Sequence, residues 1–131
     1  DNIMKQNLRL SKREKEIMDK FWENEEGFTC TELVDASPDR SWHKTSAHLL
    51  INSLLAKEFI EVSGFRKSTK NYARIFKAKF SYEDYAIKII MVNSTADSRK
   101  KLMYKLINEA TLEELEEMKE IIESQMNKIK L

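Results

Sequence analysis

Residues 41–80, SWHKTSAHLLINSLLAKEFIEVSGFRKSTKNYARIFKAKF, decide how this chain folds. The first part repeats with a helical period. Ala47, Leu50, Ile51, Leu54 and Leu55 occupy the i, i+3, i+4, i+7 and i+8 positions of a core-facing stripe, which predicts a helix starting within Ser41–Lys44 and running to about Lys57. Thr45, Ser46, His48, Leu49, Asn52 and Ser53 turn to the opposite side. A chain that is 34% charged would ordinarily place Lys and Glu on such a side; here it is small and polar. From Phe59 the period falls to two. Phe59–Phe65 and Tyr72–Phe80 read as strands, and Arg66-Lys67-Ser68-Thr69-Lys70-Asn71 between them reads as a basic loop. This is a β-hairpin with a cationic tip, too long for a two-residue turn.

Upstream, residues 1–9 read as a polar arm. Ser11-Lys12-Arg13-Glu14 has the form of a capping box, and the helix after it aligns Ile17, Met18, Phe21 and Trp22 on one stripe. Gly27 stops that helix and Phe28-Thr29 forms a short extended link. Thr29-Cys30-Thr31-Glu32 is a second capping box, opening a brief helix with Leu33, Val34 and Ala36 that ends before Pro38.

Downstream, Ser81-Tyr82-Glu83-Asp84 caps a helix carrying Tyr85, Ala86, Ile89 and Ile90. After a break at Ser94–Ser98 a further helix presents Leu102, Met103, Leu106 and Ile107. Thr111-Leu112-Glu113-Glu114 caps the last, with Leu115, Met118, Ile122, Met126 and Ile129 near heptad spacing. Short helices with narrow apolar stripes bury little by themselves, so this region is expected to need a partner surface.

Composition narrows the function. The net charge of +1 hides a division: Val62–Phe80 holds six basic residues and no acid, whereas Glu109–Glu123 holds seven Glu and one Lys. Two regions with two jobs are expected. No apolar run approaches the roughly 20 residues of a membrane span, and no secretory signal is visible. The single Cys30 forms no internal disulfide and fits a reducing cytoplasm, where the chain is expected to reside. No nucleophile–base pair, phosphate loop or paired apolar carboxylates argue for an enzyme. His43, His48 and Cys30 match no zinc spacing, so neither a metal nor a cofactor is expected. Cys30 reads as a quiet residue in a helix's first turn.

Helix, short strand, helix, helix, strand, basic loop, strand is the order of a winged helix-turn-helix. The expected fold is mostly α with a small antiparallel hairpin: a DNA-binding domain at 1–80 and a helical dimerisation region at 81–131. Phe21, Trp22, Leu33, Leu50, Leu54, Phe59 and Phe76 are expected to form the core. Thr45, Ser46, His48, Leu49, Asn52 and Ser53 would read base edges in a major groove about 12 Å wide. Arg66, Lys67 and Lys70 on the hairpin, with Thr29, Thr31 and Lys44 at helix starts, would meet phosphates. Trp42 is either a packing plug or a further backbone contact. Ile89, Leu102, Leu106, Leu115, Met118, Ile122 and Met126 would make the dimer. The partners are double-stranded DNA and a second copy, with no membrane. The rival reading is a winged-helix module whose third helix docks a protein; Leu49 on its exposed side is compatible with that.

Leu10-Ser11-Lys12-Arg13-Glu14-Lys15-Glu16-Ile17-Met18, Phe21-Trp22-Glu23 and Thr31-Glu32-Leu33 together resemble the opening of the penicillinase-repressor family (BlaI/MecI type). Trp42 before a Leu/Ile-rich helix ending in Lys57-Glu58-Phe59-Ile60 is similar to that family too, as is Thr111-Leu112-Glu113-Glu114-Leu115-Glu116-Glu117-Met118. The resemblance spans roughly residues 8–125. It implies a homodimeric repressor on a palindromic operator before β-lactam resistance genes, with the C-terminal helices making the dimer. The departures are specific. The family's recognition face carries Lys-Thr and then Arg, where this chain has Thr45-Ser46 and His48, and its Gly before the Phe-Ile pair is Glu58 here. The resemblance also implies a sensor protease that cuts an Asn-Phe bond. This chain has no Asn-Phe, and the matching position falls near Met103-Tyr104. The copper-responsive branch carries a Cys-x-Cys tail that is absent.

Overall fold

A computed structural model describes residues 7–131; of the expected polar arm, residues 1–6 lie outside the described residues. Helix α1 (Lys12–Glu23) begins where the Ser11 hydroxyl accepts from the Glu14 amide at 3.1 Å and the Glu14 carboxylate accepts from the Ser11 amide at 2.8 Å. Helix α2 (Cys30–Asp35) repeats the device with Thr29 and Glu32, at 3.2 and 2.9 Å. Each cap satisfies amides that a helix start leaves unpaired. Between the two helices Gly27 takes φ 86°, and a Cβ there would lie 2.3 Å from the Phe76 carbonyl oxygen, so glycine alone lets the link run this close to the hairpin. Phe28 then pairs with Phe76 in an isolated antiparallel bridge.

A 3-10 turn (Lys44–Ser46) leads into α3 (Ala47–Ala56). Its apolar stripe lies as the periodicity predicts, with Ala47, Ile51 and Leu54 buried and Leu50 and Leu55 packed against them. The helix closes by two backbone bonds, Glu58 N–H to the Leu55 carbonyl and Phe59 N–H to the Leu54 carbonyl, each 3.0 Å. Leu54 and Phe59 are both fully buried beneath that closure. This is the Schellman pattern, which requires a left-handed residue at the turn. That residue is Glu58, at φ 63°.

The hairpin consists of β1 (Ile60–Lys67) and β2 (Tyr72–Ala78), antiparallel, with an irregularity between Val62 and Gly64. Toward the tip β1 reaches two residues further than the alternation suggests, while β2 ends two residues earlier, at Ala78. Arg66 pairs with Ala73 and Lys67 with Tyr72, so both expected loop residues belong to β1 and only residues 68–71 turn. The Ser68 amide and the Asn71 carbonyl, 2.7 Å apart, close that turn.

Of the expected core, Phe21, Leu33, Leu54, Phe59 and Phe76 are buried, and Ile17, Met18, Val34, Trp42, Ala47, Ile51 and Ile60 complete it. Leu50 and Trp22 lie at its border. Trp22 is fixed there because its indole N–H donates to the Phe80 carbonyl at 3.0 Å while its ring meets Tyr82 and Tyr85, with centroids 5.4 and 5.1 Å apart. Those two tyrosines stand on α4 (Tyr82–Asn93), and Tyr85 also meets Phe59. The first compact unit therefore continues to Val92, past the expected boundary at 80/81, and Asn93–Leu131 forms the second. In that second unit α5 (Ala96–Glu109) is capped by Thr95 and α6 (Leu112–Lys130) by the reciprocal pair Thr111 and Glu114. Among the described residues no helix is long and apolar enough to cross a membrane.

A left-handed backbone costs a side-chain-bearing residue about 1–2 kcal/mol. Glu58→Gly should therefore raise the unfolding free energy by about 1 kcal/mol and the thermal midpoint by a few degrees, read by calorimetry.

Candidate nucleic-acid interface

The expected recognition helix α3 is held from behind by one carboxylate. Glu14, on α1, is only 3% exposed. One of its oxygens takes the Ser11 amide and the Lys57 ammonium, the latter at 2.7 Å; the other takes the Ser53 hydroxyl, also at 2.7 Å. The Lys57 ammonium in turn donates to the Arg9 carbonyl at 2.8 Å. Burial pushes the Glu14 carboxyl upward, but the hydrogen bonds from Lys57, the Ser11 amide and Ser53, with the Lys57 charge, outweigh it and hold the pKa at about 2 against an ordinary 4.5. A second carboxylate on the same helix anchors the turn before α3: Glu16 accepts from the Ser41 amide at 2.8 Å and from the Ser41 hydroxyl, and these bonds lower its pKa. Sequence reading missed both clamps. Glu14 was legible as a cap, yet its other partners lie 39 and 43 residues away.

With its back fixed, α3 presents His48, Leu49 and Asn52 to solvent, Leu49 at 73% exposure, while in the preceding 3-10 turn Thr45 is exposed and Ser46 half-buried. Ser53, expected among them, spends its hydroxyl on Glu14 and does not join the exposed set. The 3-10 turn is capped by His43, whose Nδ1 accepts from the Thr45 amide at 3.3 Å and lies 2.9 Å from the Thr45 hydroxyl. Trp42 is the packing plug, 2% exposed, with Arg40 over its ring and an indole N–H that has no hydrogen-bond partner among the described residues. A buried ring cannot also lie along a backbone.

The expected phosphate-facing residues divide in the same way. Thr31 and Lys44 are exposed, but Thr29 is buried and its hydroxyl serves the α2 cap. Lys67 and Lys70 are exposed and form no ion pair among the described residues. Arg66 is different. Its Nε lies 2.7 Å from the Glu32 carboxylate, whose other oxygen caps α2, so Arg66 ties the hairpin to the helix before the recognition turn. Burial pushes the Cys30 thiol up against the nearby Arg74 charge, away from reactive thiolate. Among the described residues no group of three His, Cys, Asp or Glu side chains could hold a metal ion.

A family model described as "Penicillinase repressor" matches residues 10–124, from the α1 cap through most of α6. The chain belongs to the penicillinase repressor family. It is a winged-helix transcriptional repressor that binds DNA. No curated protein matches this repressor. Among solved structures it is similar to the adhesin competence repressor of Streptococcus pyogenes, at 15% identity over 93% of this chain and 82% of that one, with a TM-score of 0.44. A MepR mutant from S. aureus shares 13% identity over 92% and 80% of the two chains, TM-score 0.44. Staphylococcus aureus MarR in complex with salicylate and kanamycin shares 16% over 92% and 73%, TM-score 0.42.

The Glu14 clamp sets a pH dependence. Its pKa is lowered on folding, so the stability it contributes is complete above about pH 4.5 and is lost as pH falls toward 2. Glu14→Gln should reduce the unfolding free energy at pH 7 by about 2–3 kcal/mol and flatten the decline between those pH values, as urea titrations at pH 7 and pH 3 would show.

Proposed function

We propose that this repressor acts in the cytoplasm as a homodimer on a palindromic operator and silences resistance genes of the β-lactam type. In this reading Thr45, Ser46, His48, Leu49 and Asn52 read base edges from the major groove. Thr31, Lys44, Lys67 and Lys70 lie on phosphates, and Arg66 positions the wing. The observation that carries it is the exposed, uncharged side of α3, held from behind by Glu14 and accompanied by Lys44, Lys67 and Lys70, which form no ion pair among the described residues. Short polar side chains approach base edges closely, and exposed lysines supply the sequence-independent attraction.

The dimer assignment draws on the second unit. Leu102, Met103, Tyr104, Leu106, Leu115, Ile122 and Met126 are each between 36% and 65% exposed in the single chain. Met118 is half-buried and lines, with Ile107, Leu115 and Ile122, an apolar groove between α5 and α6. A second copy laid on this surface removes it from water. Ile89, the remaining expected dimer residue, stands on α4 in the first unit and is half-buried in the single chain. A sensor protease would find no Asn-Phe bond to cut in this sequence.

On an operator selected from random duplexes, Asn52→Ala is expected to cost about 1–3 kcal/mol of preference over non-specific DNA while the salt dependence stays the same. Lys44→Ala with Lys70→Ala removes two lysines from each of two protomers and should lower the slope of log K against log salt by about 4 on any sequence, whereas Arg66→Ala should change it little. An unchanged slope in the double lysine variant would contradict the backbone assignment. Leu106→Glu with Met126→Glu should convert a particle of twice the 15.5 kDa chain mass into a monomer in sedimentation equilibrium.

A further inference from the structure

Lys15, Asp19 and Glu23 recur at every fourth residue along one stripe of α1, and Trp22, next to Glu23, shares that stripe. The bond from the Trp22 indole N–H to the Phe80 carbonyl holds the indole against the start of α4, where Tyr82 meets it with the two ring planes at 71°. Rings from two helices thus form a corner. Lys15 reaches into it. Its ammonium lies 5.7 Å from the Trp22 centroid and 5.8 Å from that of Tyr82, and the Asp19 carboxylate holds it at 2.7 Å. The negative faces of aromatic rings attract a cation placed this way.

That contact by itself is a surface staple, but it does not fill the space. With Lys15 in place the corner still encloses a cavity of about 380 Å³, lined by Lys15, Asp19, Trp22, Glu23 and Tyr82. This is enough for a small organic molecule, since such sites run from about 300 Å³ upward. The lining holds two carboxylates against one ammonium, and Glu23 forms no ion pair among the described residues. An anion would find a single ammonium that Asp19 already holds. A neutral ligand would leave Glu23 uncompensated. A second cation meets both demands, and one without N–H groups meets them best, because the indole has spent its polar atom on Phe80 and offers its ring. We propose that the Trp22–Tyr82 corner is a binding site for a small quaternary ammonium ion, which lies on the ring faces with its charge balanced by Glu23. Aromatic corners recognise such ions because a methylated ammonium is attracted to ring faces and forms no hydrogen bonds that it would have to give up. A ligand here spans α1 and α4, two helices of the first unit. The inference is independent of the DNA-binding reading, and its test uses no DNA.

Choline serves as the probe, in isothermal titration calorimetry with the full chain at pH 7 and 150 mM salt. Saturable binding is expected, with a dissociation constant on the order of 1 mM. The uncharged isostere, with carbon in place of the quaternary nitrogen, should bind at least tenfold more weakly. Lys15 and Glu23 should act in opposite directions. Lys15→Met removes the resident cation from the rings and should tighten choline about fivefold, whereas Glu23→Gln should weaken it about fivefold. Both residues stand on the outer side of α1, and a merely structural role would not move the affinity upward in one variant and downward in the other. No saturable heat up to 10 mM choline, an isostere that binds as well as choline, or a Lys15→Met variant that binds no tighter than the wild type would each overturn the proposal. All three leave the repressor reading standing.

Discussion

One buried carboxylate sets the pose of the helix on which the rest of this molecule depends. Glu14 starts α1 by accepting the Ser11 amide, and it ends α3 by accepting Ser53 and Lys57. A charge this far from water is tolerated only when its lone pairs are filled, and here three donors fill them. The geometry leaves α3 little freedom to roll. Its polar side consequently faces solvent as a fixed surface, and Glu16 does the same for the turn that precedes it.

The hairpin obeys a related logic. Gly27 allows the link before α2 to press on β2, and the Phe28–Phe76 bridge joins it to the sheet edge. Arg66 then ties the far part of β1 to the α2 cap through Glu32. One face of the hairpin is spent on staying attached, so the other is left to carry Phe65, Lys67, Tyr72 and Arg74. The exposed side of α3 and the free face of the hairpin thus each have an ion pair on their reverse side.

Much of this was legible in residue order because it is local. Capping boxes at Ser11, Thr29 and Thr111 join residues three apart, and the α3 stripe and the strand alternation are periodic, so these elements lie as expected. The departure of Glu58 from a glycine was legible too, and the backbone there is left-handed. The errors have a common cause in contacts that periodicity does not encode. Ser53 sits on the polar side by angle, but a carboxylate from another helix claims it. Arg66 reads as one cation among several, but Glu32 claims it. Thr29 cannot both cap a helix and stand exposed, and Trp42 is decided by the cavity it fills. Tyr82 and Tyr85 carry no signal that they pack on Trp22, which is why the first unit extends beyond Phe80.

The central claim is that the exposed side of α3 lies in a major groove. Dimethyl sulfate methylates guanine at N7, an atom that only the major groove presents, so protection of bound operator tests the claim directly. The account predicts two protected guanine clusters centred about one helical turn, or a whole number of turns, apart. Stable binding that leaves every guanine N7 as reactive as in naked DNA would contradict it.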